Sequence, residues 1–367
     1  MHWACSDLGP YPKITWQGWR NTSAGHHGGR VKNETLKIVI PMGGYGTRLR
    51  PHTWSRPKQL IRMAGKTVLD HVLDTFSTLP DPTNVEYIFI VGKMGEKIEA
   101  HMQEFHPKMT VRYVEQSEMR GQSHAIHLAR EYLSGPMLMV FADTLVETNL
   151  SFLNNEQADA VAWVKAVPDP RRFGVAVLGA DGWVKRLIEK PKEVDNNLVV
   201  VGFYYFKDST ALVAAIEEQM RRNIHLKNDY FLADAVNILL ESKIKMRTQE
   251  VKTWLDAGTA EDVLATNRYL LEHGHDYSPE AAQRQGVVLI PPVFIHPSAQ
   301  VEHSVIGPYT AIGADCNVSR CIIRDSIVDD CTQITDVVME HSLIGREANI
   351  TRRPGVLNVG DHTELTL

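Results

Sequence analysis

Leu36-Lys37-Ile38-Val39-Ile40-Pro41-Met42-Gly43-Gly44-Tyr45-Gly46-Thr47-Arg48-Leu49 opens the first region of the chain with a protein-like pattern. Its first five residues form a short β-branched run that stops at a glycine turn, which reads as a buried strand handing over to a loop. Further apolar runs at residues 87–91, 111–114 and 137–141 end at or beside a polar or glycine residue. Helical patterns lie between them. In residues 66–79, Val68, Leu69, Val72, Leu73, Phe76 and Leu79 fall on one face at helical spacing, and a second pattern covers 121–133. Near-continuous apolar strands alternating with amphipathic helices predict an α/β fold with a doubly wound, mostly parallel sheet covered on both faces. Ligands in such sheets sit at the carboxyl ends of strands, so the residues after Ile40 and after Phe141 are the first candidates.

Beyond this region the pattern turns to successive strands at 161–167, 173–178, 184–188 and 199–206, with helices expected at 209–222, 230–241 and 259–272. A charge-rich stretch at 273–286 reads as a linker. From Ile295 the period changes. An Ile or Val recurs every five or six positions, at Ile295, Val301, Ile306, Ile312, Val318, Ile323, Val328, Ile334, Ile344 and Ile350. This hexapeptide repeat predicts a parallel β-helix of some four coils, each about 18 residues long, whose six-residue sides stack one aliphatic each into a common core. Its open end is expected to be covered by a neighbouring subunit or by a final strand at 356–359. The expected organisation is an N-terminal extension at 1–33, loosely attached and dispensable, a catalytic domain at 34–272, a linker at 273–290 and the β-helix at 291–367.

Composition narrows the function. The 367 residues carry 39 Lys and Arg against 44 Asp and Glu, a formal net charge of −5, so no global basic field exists to hold nucleic acid or an anionic membrane. Any anionic ligand must meet local positive charge. Cys5, Cys316, Cys321 and Cys331 form no C-x-x-C pair, which argues against a disulfide framework or zinc knuckle and for reduced thiols in a cytoplasmic protein.

Local charge is found in the stretch from Gly43 to Lys58. Gly43, Gly44 and Gly46 let backbone amides approach an anion, and Arg48 and Lys58 add fixed positive charge. The spacing is neither that of a P-loop nor that of a dinucleotide fingerprint. The whole run resembles the G-G-x-G-T-R-L-x-P-x-T-x-x-x-P-K signature of the sugar-phosphate nucleotidyltransferases, the nucleotide-sugar pyrophosphorylases, at every fixed position. The likeness continues in order. Gln116 with Gly121-Gln122-Ser123-His124 resembles the family's base-binding loop, and Asp143 its metal aspartate. Phe173-Gly174-Val175 and Glu189-Lys190-Pro191 resemble its sugar-phosphate elements, Gly202-Phe203-Tyr204 its later glycine turn, and Trp254-Leu255-Asp256-Ala257-Gly258-Thr259 its second metal motif. The match is most like glucose-1-phosphate thymidylyltransferases with a C-terminal left-handed β-helix.

That resemblance implies joining of a sugar 1-phosphate, expected to be glucose 1-phosphate, to dTTP or UTP, with release of pyrophosphate. It implies Arg48, Lys58 and Lys190 as catalytic cations. Gly43, Gly44, Gly46, Thr47, Gln116 and Gly121 are assigned to the nucleotide, and Thr144, Gly174, Glu189 and Gly202 to the sugar. Mg2+ is the implied cofactor, held by Asp143 and Asp256. Both substrates are anionic, so a cation between them would neutralise the charge that accumulates as the phosphates meet. Thr144 and Ala142 depart from the family's usual residues. Homo-oligomerisation through the β-helix is expected, with neither nucleic-acid nor membrane partners. Two alternatives are an added acyltransferase activity in the β-helix and a non-catalytic nucleotide-sugar-binding regulator.

Overall fold

The computed structural model describes residues 34–281, 284 and 286–352; the extension at 1–33 and the strand expected at 356–359 lie outside these residues. They divide into two compact units, one comprising the chain to Ile61 with Thr67–Asp262, the other Arg62–Lys66 with the chain from Val263 onward.

The first unit is built on nine strands: β1 (Leu36–Met42), β2 (Val85–Val91), β3 (Val111–Glu115), β4 (Met137–Val140), β5 (Ala160–Ala166), β6 (Gly174–Leu178), β7 (Val184–Glu189), β8 (Leu198–Phe206) and β9 (Met246–Glu250). The sheet runs β7-β6-β8-β4-β1-β2-β3, with β5 on β8 and β9 on β5. Strands β4, β1, β2 and β3 are parallel, in a register that sets Val39 between Met139 and Ile88. The chain leaves β1 towards β2 and β3 and returns on the other side at β4. Strand order therefore reverses between β1 and β4, which opens a crevice at their carboxyl ends. Strand β8 runs antiparallel to both β4 and β5, so the sheet is mixed.

Both faces are covered, as the continuous apolar strands require. Val39, Ile88, Ile90, Met137 and Met139 pack with Ala125 and Ile126 of α3 (Gln122–Leu128), with α4 (Ser209–Arg221) and with α5 (Leu232–Glu241). On the opposite face Phe76 meets the edges of Tyr87 and Phe203. The helix expected over 66–79 is shorter: α1 covers Val68–Asp74 and continues as a 3-10 turn to Thr78. Its start is fixed by Thr67, whose hydroxyl accepts the Asp70 amide at 3.1 Å while the Asp70 carboxylate accepts the Thr67 amide at 3.0 Å. This capping box satisfies two amides that would otherwise lack helical partners. Among the described residues, no helix is long and apolar enough to cross a membrane.

The second unit is a left-handed parallel β-helix with three faces of four strands each. Eight of the ten repeat aliphatics, from Ile295 to Ile334, are in its buried core, and Ile344 and Ile350, partly buried, pack against it in the last described coil. Ile295 pairs with Ile312 and Ile312 with Val328, so the coils are 17 and 16 residues long, shorter than the expected 18. Five-residue sides account for the difference. Left-handed backbone recurs at the corners, at Tyr309, Asp315, Arg320, Asp325, Cys331 and Asp336. The expectation of reduced thiols is met at Cys316 and Cys321, which are free and buried, and not at Cys331, which is disulfide-bonded. The short hairpin at 62–66 belongs to this unit: Arg62 Nε donates to Asp330 at 2.9 Å, and a Cβ on Gly65 would lie 2.4 Å from the Phe294 ring.

Candidate active site

The crevice between β1 and β4 receives the glycine-rich loop from one side and Asp143 from the other. After β1 the chain turns through Gly46 in left-handed backbone into a 3-10 turn, Thr47–Leu49, which leaves Thr47 and Arg48 exposed. Thr53 ties the loop back by donating to the Gly46 carbonyl at 2.8 Å. Lys58 begins the next 3-10 turn and forms a short ion pair with Asp143. Thus two sequence-predicted residues 85 positions apart meet at the strand-order reversal.

Asp256 is brought to the same place by a two-stranded ribbon, Thr144–Val146 against Trp254–Asp256, in which Asp256 pairs with Thr144 and the Ala257 amide donates to the Asp143 carbonyl at 3.2 Å. Burial pushes the Asp143 carboxyl up, but the Lys58 ammonium and Arg48 guanidinium outweigh it and hold it below the usual carboxylate range. Asp256 is pushed up to about 6, first by burial and then by Asp143 and Asp262, against weaker opposition from Lys58 and Arg48. Carboxylates whose environments drive their proton affinities apart mark a site where negative charge is concentrated. A Cβ on Gly258 would fall 3.0 Å from an Asp256 oxygen and 3.2 Å from an Arg48 nitrogen, so Arg48 borders the same cluster. Hard oxygen donors crowded enough to raise one proton affinity fit a divalent cation of the magnesium type.

On the opposite flank Gln116, buried at the end of β3, donates to the Gly121 carbonyl at 3.3 Å and lies 3.4 Å from His124 Nδ1. Gly121 has φ +89°, and a Cβ there would sit 2.6 Å from the Tyr230 backbone, so the turn into α3 admits glycine alone. Gly43 approaches closely too: its Cβ would lie 2.8 Å from Gln116 Oε1. Gly43, Gly44 and Tyr45 line a cleft with Gly92 and Pro57. Gly92 and Tyr230 were not among the sequence-predicted residues, and His124 and Gly258 were read only as parts of their motifs, with no role of their own. The signal for Gly92 was its place directly after β2; Tyr230 carried none.

The third group lies on the antiparallel strands. Gly174 and Glu189 are direct partners across β6 and β7, and a Cβ on Gly174 would be 3.1 Å from Glu189 Oε2. Burial raises the Glu189 carboxyl, Lys190 opposes this and Asp234 adds to it. Lys190 Nζ is 3.9 Å from Glu189 and 4.8 Å over the Phe231 ring, half exposed. Gly202 sits where the register of β8 shifts, and its carbonyl accepts the Phe141 amide at 3.0 Å. Thr144 is buried and its hydroxyl donates to the Val201 carbonyl at 3.1 Å, fastening the turn that carries Asp143 to β8. Its side chain is therefore engaged with the scaffold.

Comparison with known proteins places the family and the fold. Residues 37–273 match the nucleotidyl transferase family model, and residues 280–335 match a GlmU-like C-terminal hexapeptide model. A glucose-1-phosphate thymidylyltransferase of Streptomyces griseus is 30% identical over 358 residues, covering 89% of this chain and 98% of that protein. The bifunctional protein GlmU of Methanococcus maripaludis is 33% identical over 241 residues, 64% of this chain and 54% of the relative. Among solved structures, a UDP-glucose pyrophosphorylase complexed with UDP-glucose matches with a TM-score of 0.55 at 18% identity, over 64% of this chain and 98% of that one, a likeness of fold. The chain belongs to the nucleotidyl transferase family and is a nucleotidyltransferase carrying a hexapeptide β-helix.

Proposed function

We propose that the crevice joins glucose 1-phosphate to dTTP or UTP, forming a nucleotide sugar and pyrophosphate. The observation that carries this reading is the cluster of Arg48, Lys58, Asp143 and Asp256 at the β1–β4 reversal. The near full-length match to a thymidylyltransferase supports the choice of base and sugar.

The chemistry needs cations more than a base. An oxygen of the sugar phosphate attacks the α-phosphorus of the triphosphate and the bond to the pyrophosphate oxygen breaks. The attacking oxygen is already ionised, so no proton has to be removed. Arg48 holds the leaving phosphates. Lys58, positioned by Asp143, faces the α-phosphate, and Lys190 holds the attacking phosphate beside Glu189, which with Gly174 binds sugar hydroxyls. Gly43, Gly44, Gly46 and Thr47 supply amides to the triphosphate. Gln116 and Gly121 offer amide and carbonyl groups to a pyrimidine edge. Asp143 and Asp256 would hold magnesium, whose charge neutralises the meeting phosphates. Thr144 and Gly202 support the sugar site through the β4–β8 junction. The protein works in the cytoplasm as a homo-oligomer assembled through the β-helix.

A panel of nucleoside triphosphates against several sugar 1-phosphates, read by pyrophosphate release, tests the proposal. Greatest turnover is expected with glucose 1-phosphate and dTTP or UTP. Preference for a purine triphosphate would overturn the base assignment, and absence of pyrophosphate in every combination would overturn the activity itself.

A further inference from the structure

Helices α1 (Val68–Asp74) and α2 (Gly95–Phe105) carry a cluster that nucleotidyl transfer leaves unused. His101 Nε2 lies 2.9 Å and His106 Nε2 2.7 Å from the same oxygen of Asp70, Oδ1. One ligating atom from each of the three residues falls within 4.8 Å of the others, and among the described residues this is the only such group of three or more His, Cys, Asp or Glu.

The carboxylate is held in place from behind. Its second oxygen, Oδ2, accepts the Thr67 amide at 3.0 Å and the Thr67 hydroxyl at 2.7 Å, leaving Oδ1 to the histidines. Burial pushes the Asp70 carboxyl up, but hydrogen bonds from His101 and His106 outweigh it and keep it ionised far below its ordinary range. His101 is buried against the Phe105 ring, with centroids 4.8 Å apart, while His106 is partly exposed at the end of α2. The cluster thus has one face towards solvent and an oriented donor set behind it.

We propose that Asp70, His101 and His106 form a binding site for a late first-row divalent cation, zinc foremost, separate from the carboxylate pair of the active site. Two imidazoles with one carboxylate suit zinc far better than magnesium, which prefers oxygen donors. Zinc–donor bonds of about 2.0–2.1 Å at tetrahedral angles place neighbouring donors about 3.3 Å apart. Opening the 2.7 and 2.9 Å contacts by about half an ångström, with the two imidazole nitrogens, within 4.8 Å of each other, brought to the same spacing, admits the ion between donors that now share a proton-mediated contact. The hydrogen bonds from Thr67 are the outer contacts that fix a ligating carboxylate. Three protein ligands leave a position for water, and the bound ion clips α1 to α2.

The test uses the full-length chain, stripped with a chelator and titrated with Zn2+ alone. The background is Asp143→Asn with Asp256→Asn, so that the active-site carboxylates cannot supply the ion. One zinc per chain is expected, measured by chelator competition, with a higher melting temperature on binding. His106→Ala should weaken it at least ~100-fold, since removal even of outer contacts costs about 10–100-fold. Co2+ in place of zinc should give the visible absorption of a tetrahedral site, absent in His106→Ala. Zinc stoichiometry and affinity unchanged in His106→Ala, or no zinc bound by the parent at tens of micromolar, would overturn the assignment. Because His106 is partly exposed, its variant reads out the site without depending on the buried His101.

Discussion

Lys58 and Asp143 meet in a short ion pair that bridges the loop after β1 and the turn after β4, while Asp256, on the ribbon beside Asp143, carries a carboxyl pushed up to about 6. The two aspartates thus contribute oppositely to stability. Asp143 has a depressed proton affinity, so its charge stabilises the fold above the unfolded carboxylate range, and this contribution is lost as pH falls through the folded value. Asp256 has a raised one, so its charge costs stability above about pH 6, a cost relieved as pH falls towards the unfolded value.

Asp143→Asn and Asp256→Asn are both expected to abolish magnesium-dependent turnover. In metal-free protein at pH 7.5, Asp143→Asn should lower the melting temperature because it strands Lys58. Asp256→Asn should raise it by roughly 2 °C or more. Calorimetry on the two variants checks the signs, and equal shifts would show that the pair is not electrostatically divided.

At the proposed magnesium site the same value sets a pH dependence. A ligand that must lose a proton before binding makes affinity pH-dependent. Apparent magnesium affinity should be flat above about pH 6 and fall up to ~10-fold per unit below it. Titration calorimetry in buffers of different ionisation enthalpy would register the released proton.

Variants of Lys190 and Arg48 test the two proposed phosphate sites. Lys190→Ala should raise the KM for sugar phosphate far more than that for nucleotide, whereas Arg48→Ala should chiefly lower kcat. Finding the reverse in steady-state kinetics would show that the two sites have been exchanged.

The parts of this architecture that were legible from sequence are those written locally. The repeat from Ile295 to Ile350 identifies a stacked core because each coil repeats the same burial, and the run from Gly43 to Lys58 marks a candidate anion loop because its chemistry is contiguous. What was not legible depends on distant register. The Thr144–Asp256 pairing spans more than a hundred residues, and the engagement of the Thr144 hydroxyl by Val201 depends on the irregular register of β8. Coil length was overestimated because the five-residue steps at Val301–Ile306, Val318–Ile323 and Ile323–Val328, visible in the spacing of the aliphatics, were counted as full six-residue sides. Asp70, His101 and His106 gave no signal, since three ordinary surface-type residues on two amphipathic helices become a cluster only when those helices pack together.

Gly121→Ala should damage the proposed nucleotide site without touching a charged group. The residue has φ +89° and its Cβ would lie 2.6 Å from the Tyr230 backbone, so both the torsion and the contact oppose a methyl group. The strain should cost about 1–3 kcal/mol and shift the turn whose carbonyl holds Gln116. A KM for the triphosphate raised at least several-fold, with KM for sugar phosphate little changed, is the expected kinetic signature. Equal effects on both substrates would show a general loss of fold.

Ending the chain near Gly286 tests whether the β-helix assembles subunits. Among the described residues its three parallel faces finish with no further strand paired on them, and backbone groups left at such an end favour pairing with another chain. Light scattering should therefore show a fall in mass. Partial rather than full activity is expected, because the hairpin at 62–66 packs on the β-helix: Arg62 would lose Asp330, and Gly65 would lose the Phe294 ring that covers it. Removing a buried ion-pair partner and an aromatic contact together should lower the melting temperature of what remains. Unchanged mass would remove the assembly role. Transfer from acetyl-coenzyme A by the intact protein, absent from the shortened one, would instead give the β-helix an activity of its own.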